Sequence, residues 1–196
     1  MNVPHLYEID RKGMANSVLN RGVPFPSADW VASETISGVP VRVTVRTGIP
    51  VRLEVVQRPT RPQRQAQIKD SWFRDASDDP LSADVWLHEA VASAVFGGVP
   101  DGEWEGTVIG PKVLSNPYDS VTHRLYLESL VPWASSLSSL APIPPILPMC
   151  PVEYETLSEW FQTRKSRLSD ITPMYGVTYW AYDEPVAQVL RSEFVG

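Results

Sequence analysis

Residues 39–55 constrain the fold more than any other part of the chain. Val39, Val41, Val43 and Val45 alternate with Pro40, Arg42, Thr44 and Arg46. A period of two puts the valines on one face of a strand and the polar residues on the other. Thr47-Gly48-Ile49-Pro50 reads as a turn, and Val51, Leu53 and Val55 resume the alternation. The pattern predicts a β-hairpin with one buried face. Such a face needs a core. The chain has 196 residues, 43% of them hydrophobic, which suffices for one and excludes wholesale disorder.

Elsewhere the elements are shorter. Residues 1–27 form a turn-rich N-terminal extension. Asp79-Pro80 reads as the start of a helix over Leu81 to Phe96, stopped by Gly97-Gly98. Glu103 to Val113 and Leu125 to Val131 read as strands. The 140–151 stretch, LAPIPPILPMCP, reads as an extended, polyproline-like connector on the surface. Thr156 and Glu159 match a capping box ahead of a second helix carrying Leu157, Trp160, Phe161 and Leu168. Gly176 to Tyr182 and Val186 to Arg191 form a last hairpin. Strands dominate, so the predicted class is α+β with mainly antiparallel sheets, in one domain over 1–196.

Charge and motifs narrow the chemistry. The net charge of −6 argues against generic duplex DNA binding. A single cysteine, Cys150, leaves no internal disulfide and no cysteine-built zinc site. His5, His88 and His123 lack metal-ligand spacing, so no metal or cofactor is expected. With no signal peptide and no long apolar run read, the expected home is the cytoplasm. Arg42, Arg46, Arg52, Arg58, Arg61 and Arg64 fall between residues 42 and 64, where Glu54 is the only acid. Two readings stay open for the hairpin's polar face: a solvated surface, or a floor of guanidinium forks for phosphates. The segment Gly110 to Tyr118 reads GPKVLSNPY; its Gly, Pro and Asn residues set a specific path around Lys112.

These motifs, taken together, resemble the ATP-dependent RNA ligases of the covalent nucleotidyltransferase superfamily, in the small versions common in viruses of bacteria. In that family a strand reads roughly G-E-x-x-G-P-K-[IV]-x-x-N-P-Y; residues 106–118 read GTVIGPKVLSNPY. Its nucleophile motif reads E-K-x-D-G-x-x-V-R-V; residues 34–43 read ETISGVPVRV. Its E-G-x-V strand corresponds to Tyr175-Gly176-Val177, and its A-K-[IV]-K-R-x-x-F strand to Ala187 through Phe194. The resemblance covers roughly residues 28–194 and implies a nucleotidyltransferase, adenylation-domain-like cleft flanked by helices, with no separate C-terminal ligase domain.

The departures all fall on the chemistry. Thr35 stands at the nucleophilic lysine, Ser37 at the motif aspartate, Thr107 and Tyr175 at two acids, and Gln188 and Leu190 at the phosphate-gripping lysines. A hydroxyl without an activating base does not replace an amine nucleophile. The resemblance therefore implies a pseudoenzyme. It would bind a nucleotide or nucleotide-derived signal without a covalent step, sequestering it, in a host bacterial cytoplasm if the origin is viral. The expected ligand-binding residues are Glu34, Thr35, Ser37, Gly38, Arg42, Arg58, Thr107, Lys112, Asn116, Tyr175, Gln188 and Arg191. The alternatives are a divergent active ligase using Lys69 or Lys112, and a protein-interaction module on the same fold; an oligomer is compatible with any of these.

Overall fold

The computed structural model describes residues 3–56, 74–75, 85–111, 113 and 117–195. Along the chain run β1 (Tyr7–Ile9), β2 (Ala15–Leu19), β3 (Val31–Thr35), β4 (Val39–Arg46), β5 (Ile49–Val55), β6 (Arg74–Asp75) and α1 (Val85–Ala92). Then come β7 (Gly102–Ile109), β8 (Arg124–Tyr126), a 3-10 segment over Glu128–Ser136, α2 (Tyr154–Thr163), β9 (Gly176–Ala181), β10 (Glu184–Leu190) and a short 3-10 turn, Arg191–Glu193. The class is mixed α/β, with few helices and mostly antiparallel sheets. The chain divides into two compact units, one of residues 1–36 with 144–196, the other of residues 37–143.

In the unit of residues 37–143 the predicted hairpin forms. β4 lies between β5 and β7 in a five-stranded sheet ordered β6-β5-β4-β7-β8. Val41, Val43 and Val45 are buried and pack with Leu53, Val55, Leu87, Val91, Val108 and Leu130. The turn is the two residues Thr47-Gly48, because Arg46 already pairs with Ile49. Both turn residues have positive φ, 50° and 72°, the twist a two-residue hairpin needs.

Three predicted elements differ here. α1 ends at Ala92, short of Phe96, while its predicted start at Asp79-Pro80 lies outside the described residues. β7 stops at Ile109 rather than Val113, since Gly110 turns the chain at φ 147° and Val113 N–H closes a turn onto its carbonyl. The strand expected over Leu125 to Val131 ends at Tyr126 and becomes the 3-10 segment. The reason lies in the spacing: apolar alternation runs through Leu125 and Leu127, then changes to Leu130 and Val131, both buried in that segment.

In the other unit, β9 is central to a three-stranded sheet ordered β10-β9-β3, and the final hairpin forms, with its second strand starting at Glu184 rather than Val186. Its core gathers Leu6, Ala32, Leu157, Phe161, Val177, Tyr179 and Val189. The N-terminal residues belong to this unit: β1 and β2 pair, Leu6 is fully buried, and its N–H donates to the Gln188 carbonyl. α2 starts two residues before the predicted capping box. Glu153 is its N-cap and makes no side-chain cap, so Thr156 and Glu159 lie within the helix. α2 ends at Thr163, leaving Leu168 in the following loop.

The proline-rich stretch is not a surface wrapping. Ala141, Pro142, Pro144 and Leu147 are buried. Proline loses its donor and keeps its acceptor. Glu34 N–H donates to the Pro145 carbonyl at 2.9 Å, and Leu147 N–H donates to the Ala32 carbonyl at 2.8 Å. Residues 145–147 thereby run antiparallel along β3, bridging at Ser33 and Ile146.

Candidate functional site

The strand register fixes where the motif residues of the first unit point. Thr35 pairs with Gly176 and Ser33 with Thr178 on β9. Thr178 pairs onward with Gln188, and Gly176 with Leu190, on β10. Directly opposed residues share a face, so Ser33, Thr35, Thr178, Gln188 and Leu190 lie on one side of this sheet. The Thr35 and Thr178 hydroxyls are 2.7 Å apart and hydrogen-bonded. Trp180 Nε1 donates to Ser33 Oγ at 2.9 Å. Apart from Leu190, those five residues carry neutral hydrogen-bonding groups.

Glu34 points the other way, among the apolar residues of the core, and is 1% exposed. Its Oε2 accepts the Arg167 N–H at 2.9 Å, while Oε1 is buried and makes no hydrogen bond. Burial pushes the Glu34 carboxyl above its ordinary value; the Ser166 hydroxyl and the Arg167 N–H and charge offset part of that. Strand parity therefore separates Glu34 from Thr35. Tyr175 is 41% exposed, and its carbonyl accepts the Arg191 N–H at 2.9 Å. The Arg191 guanidinium donates to the Phe161 carbonyl near the C-terminus of α2. Arg191 is thereby part of the packing between α2 and β10.

In the unit of residues 37–143, the Ser37-Gly38 corner meets the end of the GPKVLSNPY stretch. Ser37 N–H donates to the Tyr118 hydroxyl at 2.7 Å. A side chain on Gly38 would lie 2.4 Å from the Val108 carbonyl oxygen and 2.7 Å from a Thr107 methyl, so only glycine fits. Thr107 is buried and donates to Glu128 Oε1 at 3.3 Å. Ser37, Gly38, Thr107 and Tyr118 are thus brought together. Arg58, Lys112 and Asn116 lie outside the described residues, as does Lys69.

Arg42 faces two carboxylates. Its cross-strand neighbours are Glu54 on β5 and Glu105 on β7, with N–O distances of 3.8 and 3.5 Å. Glu54 also pairs with Arg52. The arginine-rich face seen in sequence is therefore interleaved with acids, the second supplied by a strand about sixty residues away in the chain. Ser33, Thr178, Tyr118 and Glu105 are additions that sequence reading did not place; only Tyr118, the last residue of the motif, carried a signal.

Cys150 is half-buried, with Sγ 3.5 Å from the Tyr179 hydroxyl. Burial pushes its thiol up to about 11, so it stays protonated at neutral pH and is a poor nucleophile. Among the described residues no three His, Cys, Asp or Glu side chains converge as a metal site requires, and no helix is long and apolar enough to cross a membrane.

No model of a known protein family matches the chain. No curated protein matches it in sequence.

Proposed function

We propose that the chain is a catalytically inactive, RNA-ligase-like protein of nucleotidyltransferase-like fold that binds a nucleotide or nucleotide-derived signal without bonding to it. Sequestration of such a signal, as a virus of bacteria would need against nucleotide-signalled immunity, is the role that suits this chemistry. The observation that carries the reading is the hydrogen bond between the Thr35 and Thr178 hydroxyls. At the position where the resemblance puts a nucleophile, the partner is a neutral hydroxyl that takes no proton. On that face Thr35 and Gln188 are partly exposed and offer donors and acceptors for a polar ligand, while Ser33 and Thr178 lie buried beneath. Mostly antiparallel sheets carrying the quoted motifs suit the fold.

Two measurements test it. Incubation with labelled ATP and magnesium or manganese is expected to leave no label on the denatured protein, and Thr35→Lys is expected not to change that. A label surviving denaturation favours the active-ligase reading instead. Calorimetry against mono-, di- and cyclic nucleotides is expected to find a ligand whose binding persists in EDTA. Thr35→Ala and Gln188→Ala should each weaken it about two- to tenfold, the worth of one neutral hydrogen bond. If nothing on that panel binds, the fold serves another purpose.

A further inference from the structure

In the unit of residues 1–36 and 144–196 a hollow lies where α2 ends. It has a volume of about 640 Å³ and includes Thr156, Trp160, Thr163, Arg164, Lys165 and Arg167; the other described residues of its lining are apolar. Thr156, Trp160 and Thr163 fall at i, i+4 and i+7, so α2 presents them on one side. Arg164, Lys165 and Arg167 come within four residues after α2 and are exposed. Among the described residues no carboxylate lines the hollow, although the chain carries 23 acids against 17 lysines and arginines. The neighbouring acids Glu155, Glu159 and Asp170 all lie off the lining.

The basic loop is held in place. Ser166 N–H donates to the Thr172 carbonyl at 2.9 Å, and Met174 N–H to the Arg164 carbonyl at 3.2 Å. Lys165 bridges to Pro173, and Glu34 accepts the Arg167 N–H from within the core. The Arg164 guanidinium sits 5.7 Å from the centre of the Trp160 ring. One cation after a helix is accounted for by the partial negative charge of the helix end. Three around one concavity with an aromatic ring beside them are not.

We propose that this hollow binds single-stranded nucleic acid, with Arg164, Lys165 and Arg167 on successive phosphates and Trp160, with the Arg164 plane upon it, beside a base. Clustered cations along a groove with an aromatic platform are the chemistry by which single strands are held without reading their sequence. The proposal is independent of the nucleotide reading above, which concerns other residues.

The test is fluorescence anisotropy of the full chain with a labelled oligouridylate of about eight nucleotides, a length within the usual single-strand site size. With three phosphate contacts the binding constant should fall roughly twentyfold between about 50 and 200 mM salt. Combining Arg164→Gln, Lys165→Gln and Arg167→Gln should weaken binding by at least about tenfold and remove most of that salt dependence, with the circular dichroism spectrum of the folded chain retained. Each single change should remove about a third of the slope. The proposal is overturned if the strand does not bind, if the triple variant binds it equally, or if uridine monophosphate or a duplex binds as tightly as the single strand.

Discussion

Glu34 makes the residue-scale point most sharply. Its burial raises the carboxyl's pKa in the folded chain above the value in the unfolded chain. The folded state then holds the proton more tightly. The stability this gives is fully present below the unfolded pKa and is lost as pH rises through the folded one. Lowering pH from 7 toward 5 should therefore bring a stabilising contribution from Glu34, against the usual acid trend. Glu34→Gln should remove it, so the variant's melting temperature will change less favourably than wild type's on that acidification. Parallel melting curves at both pH values would show that the carboxyl is solvated. Glu193, buried beside His5, shifts in the same direction and remains in both proteins as an internal control. Glu34 was legible in the sequence as a motif residue; its direction was not. Nothing in residues 31–35 alternates clearly, and only the pairing with β9 decides which of Glu34 and Thr35 turns inward. Arg42 was legible as a polar-face residue, but its neutralising partner Glu105 comes from a distant strand, which local pattern does not reveal.

At the scale of elements, the turn and the corner behave differently. The β4–β5 turn has Thr47 at φ 50°, a left-handed conformation that a β-branched residue adopts at a cost. Asparagine tolerates it far better, and Asn-Gly is the preferred pair for this turn. Thr47→Asn should therefore stabilise the chain by about 1 kcal/mol in chemical denaturation. The backbone hydrogen bond from Thr47 N–H to Asp101 Oδ1 survives the change. A loss of stability would mean that the threonine hydroxyl, donating to the Arg46 carbonyl, matters more than the backbone. Gly38→Ala runs the other way. The added carbon meets the Val108 backbone, which gives way only if β4 and β7 separate. A cost of roughly 1–3 kcal/mol is expected, typical of overfilling. The two long hairpins were readable because valine alternation and turn residues agree locally. β1, β2 and β3 were not, being short and lacking a sustained apolar period. The capping box at Thr156 failed because a motif that fits a helix start also fits a helix interior.

At the scale of the whole molecule, residues 37–143 form a continuous insertion within the sequence of the other unit. Each unit closes a core of its own, one around the β4 valines and one around Phe161 and Val177. Phe161→Ala should cost about 3–5 kcal/mol, since the ring is fully buried. Hydrogen exchange should show the loss first in β9 and only weakly in β4; equal loss in both would mean the cores do not unfold separately. The mixed class and the antiparallel bias were legible from the hairpins alone, whereas the division in two was not, because no linker composition marks residues 36–37 or 143–144. The prolines beside β3 have a further consequence, for self-association. Both outer strands of the three-stranded sheet are already occupied, β3 by residues 145–147 and β10 by residues 4–6. The covering segments contain Pro145 and Pro4 and are flanked by Pro144 and Pro148, and none of these has an N–H to offer another chain. Where these segments lie, the sheet offers no free ladder to a further strand, so copies of the chain that meet there must do so through side chains.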